Sequence, residues 1–270
     1  MNISRRKWLT RLGVYGSPVA AFGYGSLVEK QWIDINHVTI PLPEAHTNLD
    51  GLTVAVMGDF HHDDFGDDRL IGRAVKAIND EHVDLVMLVG DYISTDCSAA
   101  ESLCEELRHL RPRYGVFGVL GNHDCWSLKP SLLHSLEQAG VRLLINESTE
   151  FDDFVVTGLD SHWGGRPSLD RAVKGVTPEK PILMGWHEPD TFDSYHNPNI
   201  VLQLSGHTHG GQICAPVIGP ILLPQYGKNY PFGYYQKDGR ALYVTRGIGT
   251  LNIPARFMCQ PEVAILTLRS

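Results

Sequence analysis

Val116-Phe117-Gly118-Val119-Leu120-Gly121-Asn122-His123-Asp124 is the stretch on which the reading of the fold turns. Its apolar half reads as a buried strand. Its polar half sets an amide, an imidazole and a carboxylate just past the strand's C-terminal end, where α/β folds build their sites. Asn offers a neutral oxygen to a hard metal, and His binds metal or moves a proton. A turn closed by a hydrogen-bonded Asn is the plainer alternative.

Working outward, the same arrangement recurs. Leu52 to Gly58 is apolar and ends in Asp59, with His61 two residues on; Leu85 to Gly90 ends in Asp91. Pro181 to Trp186 leads into His187, and Ile200 to Leu204 into Gly206, His207, Thr208 and His209. Between the early runs lie helical patterns: Asp67 to Val83, Ser98 to Leu110 stopped by Pro112, and Ser131 to Ala139 with Gly140 as its cap. Val141 to Ile145, Phe154 to Leu159, Ala241 to Thr245 and Val263 to Leu268 read as further strands. Early strand–helix alternation means an α/β fold with a largely parallel start. The denser strands of the second half imply a mixed sheet, or a second sheet packed on the first. Pro and Gly crowd Pro216 to Gly233, which reads as a long functional loop.

Composition narrows the function. The chain has 270 residues, 43% of them hydrophobic, enough for a large core without a separating linker. A net charge of −8 offers no broad basic surface for nucleic acid. Five scattered cysteines without a C-x-x-C pair argue against a disulfide framework and a structural zinc site. No phosphate-loop or dinucleotide fingerprint is present.

The polar clusters that end the apolar runs supply two carboxylates, an amide oxygen and several imidazoles. That is too many donors for one tetrahedral zinc and suits two divalent ions sharing a carboxylate. Mixed N/O donors point to manganese, iron, zinc or a similar metal. Taken singly, Asp59 and Asp91 also read as caps, His187 as a turn residue, and His207 and His209 as a solvated loop. His61 is chosen over His62 because period-two spacing puts it on the side of Asp59. His82, His109, His134, His162 and His196 join no cluster.

Residues 1–31 read as a separate segment ahead of a single domain over 32–270. Ser4-Arg5-Arg6-Lys7-Trp8-Leu9 resembles a twin-arginine export signal, and Leu12 to Val28 carries no charge but is short of a comfortable membrane span. Export or membrane anchoring is the expectation, with a plain basic terminus in the cytoplasm as the alternative.

D-x-H at Asp59, G-D at Gly90, G-N-H-D at Gly121, His187 before a Pro-Asp pair and G-H-T-H at Gly206 resemble the calcineurin-like metallophosphoesterases. The likeness runs from about Leu52 to the C-terminus. Gly206 to Gln212, the twin-arginine start, and a tail with Arg246, Gly247, Arg256, Pro261 and Glu262 are similar to the bacterial YaeI/YkuE-type phosphodiesterases. The resemblance implies two mixed β-sheets packed face to face and flanked by helices. It implies one metal on Asp59, His61 and His209, another on Asn122, His187 and His207, and Asp91 bridging. A hydroxide between two divalent ions would attack a phosphodiester, with His123 facing the substrate and Asp124 orienting it. Arg246 and Arg256 are candidates to grip phosphate oxygens. A membrane-associated pyrophosphatase acting on a nucleotide-linked lipid of the UDP-diacylglucosamine type is the second reading. The apolar loop with Ile221, Leu222, Leu223, Tyr226, Tyr230 and Phe232 would suit such a lipid-linked phosphate. A non-catalytic metal-binding module is the third.

Overall fold

The computed structural model describes residues 19–42, 44–127 and 130–270. The paired arginines, Arg5 and Arg6, lie outside them.

Two six-stranded mixed sheets form the body. The first runs in the order β1 (Asp34–Pro41), β14 (Glu262–Arg269), β2 (Thr53–Met57), β3 (Leu85–Leu88), β4 (Val116–Gly118), β5 (Val141–Leu143). The second runs β12 (Gly233–Lys237), β13 (Arg240–Val244), β9 (Ile200–Ser205), β8 (Ile182–Gly185), β7 (Val155–Gly158), β6 (Glu147–Glu150). β2 to β5 are parallel to one another, as are β7, β8, β9 and β13. A small hairpin pairs β10 (Cys214–Ala215), just ahead of the Pro/Gly-rich stretch expected to be loop, with β11 (Gly219–Pro220) inside it; that stretch ends at the start of β12.

The strand pleat explains how one apolar run serves two cores. In β2 and β3, Val54, Val56, Leu85 and Met87 face Val156, Leu183, Leu202 and Leu204 of the second sheet. The alternate residues Ala55, Met57, Val86 and Leu88 face outward. They meet Leu70, Ala74 and Ile78 of α1 (Asp68–Asp80), Leu103 and Leu107 of α2 (Ala100–Leu107), and Leu132 and Leu136 of a later helix, Pro130–Gln138. Asp67 caps α1, its Oδ1 accepting the amides of Arg69 at 2.9 Å and Leu70 at 3.4 Å.

β1, β6 and β12 are the strands of the two large sheets that the sequence did not reveal. Each lies at an edge of its sheet and carries polar or half-buried side chains, so no apolar run marks it.

Where the strands end, the loops touch. Gly90, at φ +93°, follows β3 with its α-carbon against the chain after β4; a Cβ there would stand 2.4 Å from Gly121 N and 2.8 Å from Leu120 C. Gly140 has φ +81° but nothing within 4 Å of such a Cβ. Gly140→Ala should therefore cost only the left-handed backbone penalty, about 1–2 kcal/mol. Gly90→Ala should cost more, because backbone must move as well. Urea unfolding of the two variants tests this; equal losses would contradict it.

Candidate metal centre

The parallel strands deliver their C-terminal ends to one edge, and hydrogen bonds tie the two sheets' loops together there. Asp59 Oδ1 accepts the His207 amide at 2.8 Å, and the Asp59 carbonyl accepts the Gly249 amide at 2.9 Å. Asp59, His61, Asp91, His207 and His209 all take positive φ, between +43° and +74°. Non-glycine residues adopt this region at a cost, and it clusters at functional sites. Here it folds each loop back so that the side chains converge. The Asp91 carbonyl holds the turn after β2, accepting the amides of Phe60 at 2.8 Å and His61 at 3.1 Å.

Donor atoms gather in three overlapping groups: Asp59, His61 and His209; His61, Asp91 and His123; Asp91, His187 and His207. Within each group one atom per residue lies within 4.8 Å of the others. Asp91 Oδ2 is central, 3.4 Å from His61 Nε2 and 3.2 Å from His187 Nε2. The other nitrogen of each ring is already engaged. His187 Nδ1 donates to the Val89 carbonyl at 2.6 Å, and His61 Nδ1 is 2.8 Å from Ser94 Oγ. His207 Nε2 donates to the Gln225 carbonyl at 2.7 Å, which frees its Nδ1. Such outer partners fix tautomers and aim metal-binding nitrogens.

The donor set fits cations. Asp59 Oδ2, His61 Nε2, Asn122 Oδ1, His187 Nε2 and both ring nitrogens of His209 are buried without a hydrogen-bond partner. An unsatisfied buried polar group costs about 1–3 kcal/mol, so a cluster of them implies a ligand. A neutral His187, its Nδ1 proton committed to Val89, turns a bare Nε2 lone pair on a carboxylate oxygen. Only a proton or a cation relieves that repulsion.

The proton side of this balance is visible in the electrostatics. Burial alone would lower the pKa of His187, but Asp91 and Asp59 outweigh it and hold the ring well above the usual histidine range. Burial works against His61 likewise, and Asp91 raises it. Burial pushes Asp59 up to about 6. Burial, aided by His187, lowers His207 to about 4, and His209 is lowered well below its ordinary value by burial and His61.

Other expected residues take different places. Asp124 does not orient His123: its carboxylate turns back to accept the amides of Gly121 and Asp91 at 2.8 Å, Tyr92 at 2.9 Å and Ile93 at 3.3 Å. It fastens the loop after β3 to the start of α3 (Asn122–Trp126). His123 is held instead by its amide on Asp91 Oδ1 at 3.0 Å and by Nδ1 donating to the Ser94 carbonyl at 3.3 Å. Arg246 pairs with Asp34 at 2.5 Å and Glu262 at 3.2 Å. Arg256 is 0% exposed, and its guanidinium donates to the carbonyls of Gly249, Arg246, Gly247, Cys259 and His209. Neither presents a fork to a phosphate; Arg256 clamps the loop that carries His209. His62 lies apart from the cluster, its Nε2 2.8 Å from Asp68 Oδ1.

Several contributors escaped the sequence reading. Ser94 touches both His61 and His123. Glu188, buried beside His187, accepts the Ser161 hydroxyl at 2.5 Å and the amides of His162 at 2.8 Å and Trp163 at 3.1 Å. Its position next to a candidate ligand was the available signal. Ser94 has none, because its contacts depend on how the loop after Asp91 folds.

Comparison with known proteins agrees with this geometry. The chain is 29% identical to the uncharacterized metallophosphoesterase YkuE of Bacillus subtilis strain 168, over 100% of this chain and 99% of that protein. It is also 29% identical to the phosphodiesterase YaeI of Escherichia coli strain K12, over 98% and 99%. A crystal structure of a candidate 5′-nucleotidase from Staphylococcus aureus shares the fold, with a TM-score of 0.51 and 12% identity over 82% of this chain and 55% of that one. The calcineurin-like phosphoesterase model matches residues 52–211, which span the five strand ends from Asp59 to His209. With a metal-ready donor cluster at those ends and that match over more than half its length, the chain belongs to the calcineurin-like phosphoesterase family.

Proposed function

We propose that this chain is a metal-dependent phosphodiesterase with two divalent cations. Asp59, His61 and His209 would hold one; Asn122, His187 and His207 would hold the other; Asp91 would serve both. The observation that carries this is the set of unpartnered buried donors on either side of Asp91 Oδ2. The phosphodiesterase name of the Escherichia coli relative supports the reaction class. Nitrogen and oxygen donors without thiolate suit manganese, iron or zinc.

Bound divalent cations supply Lewis acidity, lowering the pKa of a water that can attack phosphorus and neutralising charge on the phosphoryl oxygens. The chain's own part is positional and protic. Asp91 fixes the backbone of His123 while its other oxygen faces the two imidazoles. The Ser94 carbonyl sets the His123 tautomer, leaving Nε2 free to meet substrate. Burial lowers the pKa of His123 and so favours the neutral ring. An anionic phosphodiester beside it supplies the charge that draws a proton on, ready for the leaving oxygen.

A second reading, a membrane-associated enzyme on a lipid-linked phosphate, has one observation in its favour. Val217, Ile218, Ile221 and Leu222 around the β10–β11 hairpin are exposed, as are Ile253 and Met258 beside it. Residues 19–27 are helical and rest on the same region, with Tyr24 against Phe257 at 6.5 Å. Residues 1–18 carry Arg5, Arg6, Lys7 and Arg11 and no acidic residue. No helix among the described residues is long and apolar enough to cross a membrane. Export through Arg5 and Arg6 belongs to this reading. The full chain should then sediment with anionic phospholipid vesicles, and Ile218→Asp with Leu222→Asp should abolish it; equal sedimentation of both forms would remove the reading.

Metal binding should release protons. His61 and His187 bind protons above the usual histidine range and Asp59 up to about pH 6, and each proton competes with a cation. Affinity for Mn²⁺ should fall as pH drops from 8 to 5, steepening near 6. Titration calorimetry in two buffers of different ionisation enthalpy reads the release, and an affinity flat across that range would contradict it.

His123→Ala should keep the metals, since Asn122 still offers its oxygen. Turnover should fall by ~10²–10⁴-fold for a diester with an alkoxide leaving group. For a p-nitrophenolate leaving group, which needs little protonation, the fall should be much smaller. Equal falls with metal lost would make His123 a ligand instead.

A further inference from the structure

Two indoles at the edge of the centre take no part in the chemistry above. Trp126, at the end of α3, is 52% exposed, and Trp163 is 40% exposed. Their ring centres lie 5.0 Å apart, edge to face. Trp126 is 5.1 Å from the His123 ring, and Trp163 is 5.8 Å from the His207 ring. The pair thus spans the rim from one imidazole of the centre to another. Tyr226 continues it, 6.0 Å from Trp163, with His162 4.7 Å beyond.

The rim is held in place from below. Glu188 is buried and accepts the backbone amides of His162 and Trp163. Gly164 lets this turn press on α3: a Cβ there would come within 2.8 Å of Cys125 Cβ and 2.9 Å of the Asn122 carbonyl. Rigid support beneath half-exposed indoles suits a ligand contact better than a core contact, since the exposed ring area contributes nothing to folding. Charge does not fill the role, because Arg246 and Arg256 are committed to other partners.

We infer that Trp126 and Trp163 form a stacking subsite for a planar heterocycle, so that the favoured substrates are nucleoside phosphodiesters. The phosphate would lie at the imidazoles, and the base would stack face-on against one indole with the other, nearly perpendicular to it, at its edge. This inference rests on the phosphodiesterase reading. Aromatic side chains stack any base through its π-face, so the subsite selects nucleosides over alkyl esters without selecting one base.

The test uses two esters with the same leaving group, thymidine 5′-(p-nitrophenyl phosphate) and methyl p-nitrophenyl phosphate, on the Mn²⁺-loaded full chain. The wild type should prefer the thymidine ester in kcat/KM. In Trp163→Ala and Trp126→Ala that preference should fall about 5- to 150-fold, the range implied by alanine substitution at stacked bases, mainly through KM. Trp163→Phe should recover part of it. No preference in the wild type, or losses shared equally by both esters as a merely structural role would give, overturns the subsite. Hydrolysis of neither ester would defeat the phosphodiesterase reading, and binding then decides the subsite. Thymidine 5′-monophosphate should quench indole emission in the wild type and not in the alanine variants, and methyl phosphate should not quench it. Absence of that quench overturns the subsite.

Discussion

One carboxylate oxygen between two imidazoles governs this structure. Asp91 Oδ2 lies within 3.4 Å of the Nε2 atoms of both His61 and His187. These residues come from three strand ends in two sheets. Such an arrangement is repulsive unless positive charge sits among the donors, and it is buried, so water does not screen it. The surrounding features serve to hold it. Left-handed turns at Asp59, His61 and Asp91 fold the loops inward, Asp124 secures the backbone around Asp91, and Arg256 ties down the strap that carries His209.

This explains why so many polar groups near the centre are structural. Asp124 and Arg256 look catalytic by residue type, yet each is saturated by backbone partners. Loops in strained conformations leave amides and carbonyls unpaired, and buried charged side chains satisfy them in place of water. The chemistry-bearing atoms are the ones left over: the donors with no partner.

That distinction marks what the sequence could tell. The residues brought together here each follow an apolar run, and both signals, hydrophobic run and polar successor, are local. The convergence of Asp59, Asp91, His187, His207 and His209 was legible for that reason, as were β2, β3, β4, β8 and β9. The roles of Asp124, Arg246 and Arg256 were not, because a side chain's partner is settled by folding: Arg246 reaches Asp34 across more than two hundred residues of chain. The edge strands β1, β6 and β12 carry no apolar run. Trp126 and Trp163 lie 37 positions apart in the chain and meet only because Glu188 and Gly164 fix the second turn against α3.

The most direct test of the account is metal stoichiometry by mass spectrometry of the chain and of Asp91→Asn, which keeps the shape of the shared group and removes its charge. Two divalent cations per chain are expected in the wild type, and the loss of at least one, together with nearly all hydrolysis, in the variant. Two cations and undiminished turnover in Asp91→Asn, or full turnover by a wild-type chain stripped of metal, would contradict it.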